Sequence, residues 1–156
     1  MPTHAEERFL PYPPEKLFDL VADVERYPEF LPWCVGARIL RREDNVLYAD
    51  LMIGFKMFRE TFTSRVTLGR PERIDVEYQK GPFRHLTNHW IFKREGDGCV
   101  IDFYIDFEFH SRLLRRVIEP LFNEAVRRMV RAFETRAHAV YGEPEGAVSP
   151  DPGRVS

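Results

Sequence analysis

Glu60 and Asn88 are the polar side chains whose surroundings call for an explanation. Glu60 alternates with Phe58 and Phe62, and Asn88 alternates with Leu86 and Trp90. In an extended chain each points with its apolar neighbours. A carboxyl group placed there must find a partner or keep its proton. Three outcomes are open: a structural pair with an arginine or a backbone N–H, contact with the polar head of an apolar ligand, or acid/base chemistry. The last lacks a second acid or base beside Glu60 in the pattern. His4, His85, His89, His110 and His138 are scattered, with no metal-ligand spacing. His85 and His89 alternate out of phase with Trp90 and should face solvent. No Gly-rich phosphate loop, serine nucleophile motif or HExxH is present. Cys34 and Cys99 form no CxxC pair, and nothing marks export, so both should be free thiols. The expectation is a protein without catalytic residues, catalytic cofactor or metal.

The segment from Tyr27 to Cys34 sets two prolines, Pro28 and Pro32, around large apolar side chains. Each proline fixes its own φ and restricts the residue before it. A tight corner carrying Tyr27, Phe30, Leu31 and Trp33 should result. It can plug one end of a core or form the lip of an apolar cavity.

The elements around these residues are legible from periodicity. Thr3–Leu10 reads as a strand, broken by Tyr12-Pro13-Pro14. Glu15–Val24 reads as a short helix, with Leu17, Phe18, Leu20 and Val21 on its apolar side. Strand signals follow over Ala37–Arg42, Val46–Gly54 and Lys56–Leu68. The last of these places Phe58, Glu60, Phe62, Ser64, Val66 and Leu68 on one face. Ile74, Val76 and Tyr78 mark a further strand, closed by Lys80-Gly81-Pro82. Leu86 to Phe92 gives the next, and Gly96-Asp97-Gly98 is a hairpin signal. Ile101, Phe103, Ile105, Phe107 and Phe109 alternate with polar residues in the final strand. One greasy face and one wet face favour antiparallel pairing. Ser111 can cap a helix running to about Tyr141, striped by Leu114, Ile118, Leu121, Ala125, Met129 and Ala132, flanked by Phe122, Val126 and Phe133, and kinked or restarted at Pro120. From Gly142 the chain turns to Gly, Pro, Ser and acidic residues, so residues 143–156 should be a disordered tail after one domain over 1–142.

This order resembles a known family in its motifs as well as its plan. Tyr27-Pro28-x-Phe30-Leu31-Pro32-Trp33-Cys34, Ile53-Gly54-Phe55 and Phe62-Thr63-Ser64-Arg65-Val66 resemble those of the coenzyme Q-binding proteins. Gly81-Pro82-Phe83 with Leu86 and Trp90-x-Phe92 fits too, as does Met129-Val130-x-Ala132-Phe133-x-x-Arg136-Ala137. That family belongs to the START (SRPBCC, polyketide cyclase-like) superfamily, and a bacterial branch of it is described as a ribosome association toxin. The resemblance implies an α+β helix-grip fold: a curved seven-stranded antiparallel sheet wrapped around a long C-terminal helix, with short helices between strands 1 and 2. It implies an apolar cavity that holds ubiquinone or a similar isoprenoid lipid, in support of respiratory electron transport and without chemistry of its own. The alternative it implies is a protein that blocks ribosomal subunit association. Some relatives with this fold are cyclases and hydrolases, which is the third option.

On this basis the expected ligand-binding set is Phe30, Leu31, Trp33, Phe58, Glu60, Phe62, Val66 and Phe83, with Asn88, Trp90, Phe103, Phe107, Leu121, Ala125 and Met129. Phe62, Val66, Trp90, Phe103 and Phe107 should share one apolar space with the three helix residues. Trp33 and Leu31 should control access, with the Gly81-Pro82-Phe83 loop at the mouth. Apolar burial is worth about 25 cal/mol per Å², so a prenyl tail could supply most of the affinity.

Charge bounds the partners. The 156-residue chain is 44% hydrophobic, with thirteen Phe and a net charge of −2, so no global field draws it to DNA. From Ser111 to Tyr141 seven Arg stand against three Glu. Arg127, Arg128 and Arg131 could be a solvated helix face, or could dock on anionic lipid of the inner membrane or on the ribosome. No apolar run reaches transmembrane length. The expected location is therefore the cytoplasm, with peripheral contact at the inner membrane.

Overall fold

The computed structural model describes residues 3–55 and 57–142. The expected tail over 143–156 lies outside the described residues. Seven strands form one antiparallel sheet: β1 (Thr3–Leu10), β2 (Cys34–Glu43), β3 (Val46–Phe55), β4 (Phe58–Gly69), β5 (Arg73–Lys80), β6 (Phe83–Glu95) and β7 (Gly98–Phe109). Their spatial order is β1-β7-β6-β5-β4-β3-β2. Every link from β2 to β7 joins neighbours in sequence. Only β1 departs from that order, pairing with β7 at one edge while β2 forms the other.

That single departure dictates the end of the molecule that is closed. The chain must pass from one sheet edge to the other between Leu10 and Cys34. It does so as α1 (Pro14–Ala22) and a 3₁₀ segment, Val24–Glu29. Helix α1 starts with Pro14, where a missing N–H costs nothing, and buries Leu17, Phe18, Leu20 and Val21. The helix expected over Glu15–Val24 is thus shifted, and it stops before the corner. Pro28 lies inside the 3₁₀ segment. The Tyr27 carbonyl accepts from the N–H groups of both Phe30 and Leu31, at 3.2 and 2.9 Å. The Tyr27 hydroxyl donates to the Val21 carbonyl, which ties the corner back to α1.

The C-terminal helical region crosses the other face of the cavity. It comprises α2 (Arg112–Ile118), a 3₁₀ turn at Glu119–Leu121, and α3 (Phe122–Tyr141). Ser111 Oγ accepts from the Leu114 N–H at 3.2 Å, the expected cap. Pro120 sits in the 3₁₀ turn and separates the two helices, as its missing N–H requires. The buried stripe of α3 is Phe122, Val126, Val130, Phe133 and Ala137. The buried centre thus falls on Phe122, Val126 and Phe133, expected only as flanks, while Met129 and Ala132 are half-buried against the core and Leu121 and Ala125 are exposed. The Pro120 break resets the helical phase, so a stripe drawn straight through it lands about a residue off the true one.

Aromatic contacts join the layers. The Phe133 ring of α3 meets Trp90 at 5.1 Å, Tyr27 at 5.4 Å and Phe30 at 5.1 Å, the first two nearly edge to face and the last likewise. Sheet, corner and helix therefore share one contiguous core.

Candidate functional site

The concave face of the sheet is not filled by α3. Two adjoining apolar chambers remain. The inner one has a volume of about 120 Å³ and lies beneath α1 and the corner, against β3 to β7. Tyr27, Leu31, Val66, Trp90 and Phe103 line it, together with Ser64 and Asn88. The outer one has a volume of about 190 Å³ and lies between the β3–β4 hairpin and the Pro120 break. Phe58, Glu60, Phe83, Phe107, Leu121 and Ala125 line it. Trp33, Phe62, Leu86, Ile105 and Met129 line both and mark the neck, the place where the two chambers adjoin. Together the chambers are of the order of the ~300 Å³ at which small-molecule sites begin.

The strand period explains which residues arrive here. Phe62, Ser64 and Val66 follow each other at every second position of β4. Val66 pairs with Val76, Val76 with Asn88, and Asn88 with Ile105, so one row of side chains crosses four strands. Phe83 breaks the alternation of β6, because a register shift between Phe83 and His85 turns it inward. Its ring packs on Phe62 at 5.4 Å and stacks on Phe109 at 4.9 Å.

The structure distributes the expected residues differently from one shared space. Val66, Trp90 and Phe103 belong to the inner chamber, Phe107, Leu121 and Ala125 to the outer one. Phe30 lines neither; it lies over Arg136, whose guanidinium is 5.0 Å from its ring, on the outer side of the corner. Leu31 is 2% exposed and is part of the inner wall, not a lip. Phe83 is likewise buried at the start of β6, not in a mouth loop. The exposed residues on the cavity lining are Leu121 and Ala125, which places the opening beside the Pro120 break.

The polar groups also part company. Asn88 Nδ2 donates to the Tyr104 carbonyl at 2.8 Å and stands in the inner chamber. Glu60 stands half-buried in the outer one. Among the described residues its carboxylate makes no hydrogen bond or ion pair, so the expected structural partner is not there. The nearest arginine in sequence, Arg59, points from the opposite face and donates to the Phe58 carbonyl. Ser64 was legible as an inward residue but not as a site residue. Its hydroxyl is buried and has no hydrogen-bond partner. Burial raises the pKa of the Tyr27 hydroxyl far above its usual value, so it remains a neutral phenol.

The remaining candidates lie outside the cavity. His85 and His89 occupy the opposite sheet face, where His85 Nε2 is 3.3 Å from Asp106 and the His89 ring stacks on Tyr104. Arg127, Arg128 and Arg131 are exposed on α3, and Glu124 lies 3.6 Å from Arg128 and 3.7 Å from Arg131. Cys34 and Cys99 are free and buried. No described helix is long and apolar enough to cross a membrane.

A curved seven-stranded sheet gripping a C-terminal helix across an apolar cavity defines a START-like helix-grip protein. The chain belongs to the polyketide cyclase / dehydrase and lipid transport family, whose model matches residues 10–134. It is 38% identical over 144 residues to the ribosome association toxin RatA of Pseudomonas aeruginosa, covering 91% of this chain and 100% of that one. It is 33% identical to the mitochondrial coenzyme Q-binding protein COQ10 homolog B of Xenopus laevis, over 91% of this chain and 60% of the relative. Among solved structures it resembles the 18 kDa protein CC1736 from Caulobacter crescentus, with a TM-score of 0.74 and 37% identity over 92% of this chain and 100% of that one. Both branches named by the sequence motifs are therefore represented among its relatives.

Proposed function

We propose that this protein binds an isoprenoid lipid of the ubiquinone type and holds or delivers it without transforming it. The observation that carries this reading is the pair of adjoining apolar chambers, whose exposed lining residues are Leu121 and Ala125 among the described residues. An apolar tail is the ligand such walls accept, and a few polar groups suffice to orient its head. The name of the Xenopus relative supports the same choice of ligand. No catalytic role is assigned to Glu60, because no second acid or base faces it among the described lining residues. The protein would work in the cytoplasm with transient contact at the inner membrane, where such lipids reside. The test is organic extraction of protein purified without detergent, followed by mass spectrometry. A co-purifying prenylated quinone is expected. Protein that is empty after purification and also fails to take up added ubiquinone would refute the reading.

A second reading is favoured by the full-length similarity to a protein named as a ribosome association toxin. The exposed Arg127, Arg128 and Arg131 offer a surface for phosphate contacts. Co-sedimentation with ribosomal subunits at graded salt tests it. Absence of the protein from the ribosomal fractions at low salt would dispose of it.

A further inference from the structure

We propose that the ligand enters head first, with its oxygenated head in the inner chamber against Ser64 and its tail in the outer chamber. The inference rests on the lipid-binding reading and adds the orientation and the residue that selects the head.

Ser64 is 3% exposed, and its hydroxyl makes no hydrogen bond. A buried hydroxyl without a partner is costly, and native interiors rarely keep one. Here the strand period aims it into the inner chamber between Phe62 and Val66. Asn88 faces the same chamber from two strands away. Its Nδ2 must be the atom bonded to the Tyr104 carbonyl, since a carbonyl can only accept. No hydrogen bond to the Oδ1 of Asn88 is found among the described residues, and on this half-buried side chain that oxygen is able to accept. The chamber thus offers a hydroxyl that can donate or accept, beside an amide with unused capacity. A compact ring bearing carbonyl or hydroxyl oxygens satisfies both.

Glu60 is the competing site for a head. It differs in two respects. It is half-buried near the opening, so water can solvate it. Among the described residues it also carries the only charge on the lining of either chamber, which suits a ligand tail poorly but costs little at a wet rim. The rest of the outer chamber is apolar, with Phe58 and Phe107 facing Leu121 and Ala125. It fits a hydrocarbon chain leaving toward the surface.

The experiment compares two probes on ligand-stripped protein: a ubiquinone with a short saturated tail, and a headless prenyl hydrocarbon. Binding is followed by Trp fluorescence, since Trp90 lines the inner chamber and Trp33 the neck. Ser64→Ala should fold at least as well as the parent, because it removes an unpaired hydroxyl. It should weaken the quinone by roughly three- to tenfold, the size of one net hydrogen bond, and leave the hydrocarbon unchanged. Glu60→Gln removes a charge from the tail chamber and should weaken neither probe. Loss of quinone affinity in Glu60→Gln with Ser64→Ala indifferent would reverse the orientation while preserving the lipid reading. Equal weakening of both probes by Ser64→Ala would also overturn it, since the effect would then be one of shape. Failure of both probes to bind the parent protein would overturn the lipid reading and the orientation with it.

Discussion

Leu31 shows how a single burial value changes a role. The corner motif suggested a gate, yet Leu31 is 2% exposed and its N–H is bonded to the Tyr27 carbonyl. Leu31→Ser should therefore act on the fold, with a loss of about 2–5 kcal/mol in urea unfolding, as expected for truncating a buried leucine. A variant of parental stability that merely leaks ligand would restore the gate. Cys99 permits a second test. It is 0% exposed, and burial pushes its thiol up to about 11. At pH 8 the native protein should react slowly with iodoacetamide at Cys99, and rapidly in urea, because the thiolate is the reactive form. Rapid native labelling mapped to Cys99 by mass spectrometry would contradict its packing. Residue types and alternation were enough to place Phe62, Val66, Trp90 and Phe103 on the cavity side. They could not show that Ser64 lacks a partner or that Glu60 and Asn88 lie in separate chambers. Those facts depend on which strands become neighbours and on where a helix leaves space.

At the scale of elements, strand identity was legible because each strand alternates over one buried face. The errors fall where periodicity is interrupted: the 3₁₀ corner, the register shift before His85, and the phase change at Pro120. Gly81 marks another interruption. Its φ is +146°, and a Cβ there would stand 2.6 Å from the Cβ of Phe62. Gly81→Ala should lower the melting temperature and displace Phe62 from the neck. Unchanged melting would show that β4 and the turn can separate freely. The corner is also latched to α3. Arg136 donates to Glu29 at 2.7 Å, and this bond chiefly holds the Glu29 carboxyl below its usual range, with Arg26 adding to it. A depressed folded pKa gives stabilisation that is present above the unfolded value and lost as the pH falls through the folded one. The melting difference between the parent and Glu29→Gln should thus be largest near neutral pH, begin to shrink below the unfolded value of about 4.3, and vanish only below the depressed folded one. The effect should be small, because the pair is exposed to solvent. A difference that persists unchanged at pH 3 would show that the charge is not the link.

For the whole molecule the decisive question is what its basic helix meets, since an apolar chamber adjoins α3 and the sequence relatives include a protein named as a ribosome association toxin. Arg127, Arg128 and Arg131 project from α3, within about two turns of the opening beside Leu121 and Ala125. On the proposed function, an anionic lipid surface drawn to these cations would be brought to the helix that borders the outer chamber. Replacing all three with Gln keeps good helix formers and leaves the buried stripe of Phe122, Val126 and Val130 untouched, so the fold should survive. It also removes the cations near Glu124, whose exposed pairs contribute little to stability. Each cation near an anionic bilayer is worth about 1 kcal/mol, so the triple variant should lose on the order of a hundredfold in affinity for vesicles rich in anionic lipid. Transfer of ubiquinone between vesicles should slow in step, while binding of a short-tailed quinone in solution stays unchanged. The two effects should separate in this way because none of the three arginines lines either chamber. Ribosome association would give a different signature: weaker co-sedimentation of the variant and a shallower salt dependence, with vesicle binding unaffected. Parental behaviour in both assays would reduce the three arginines to a solvated face and move the docking surface elsewhere.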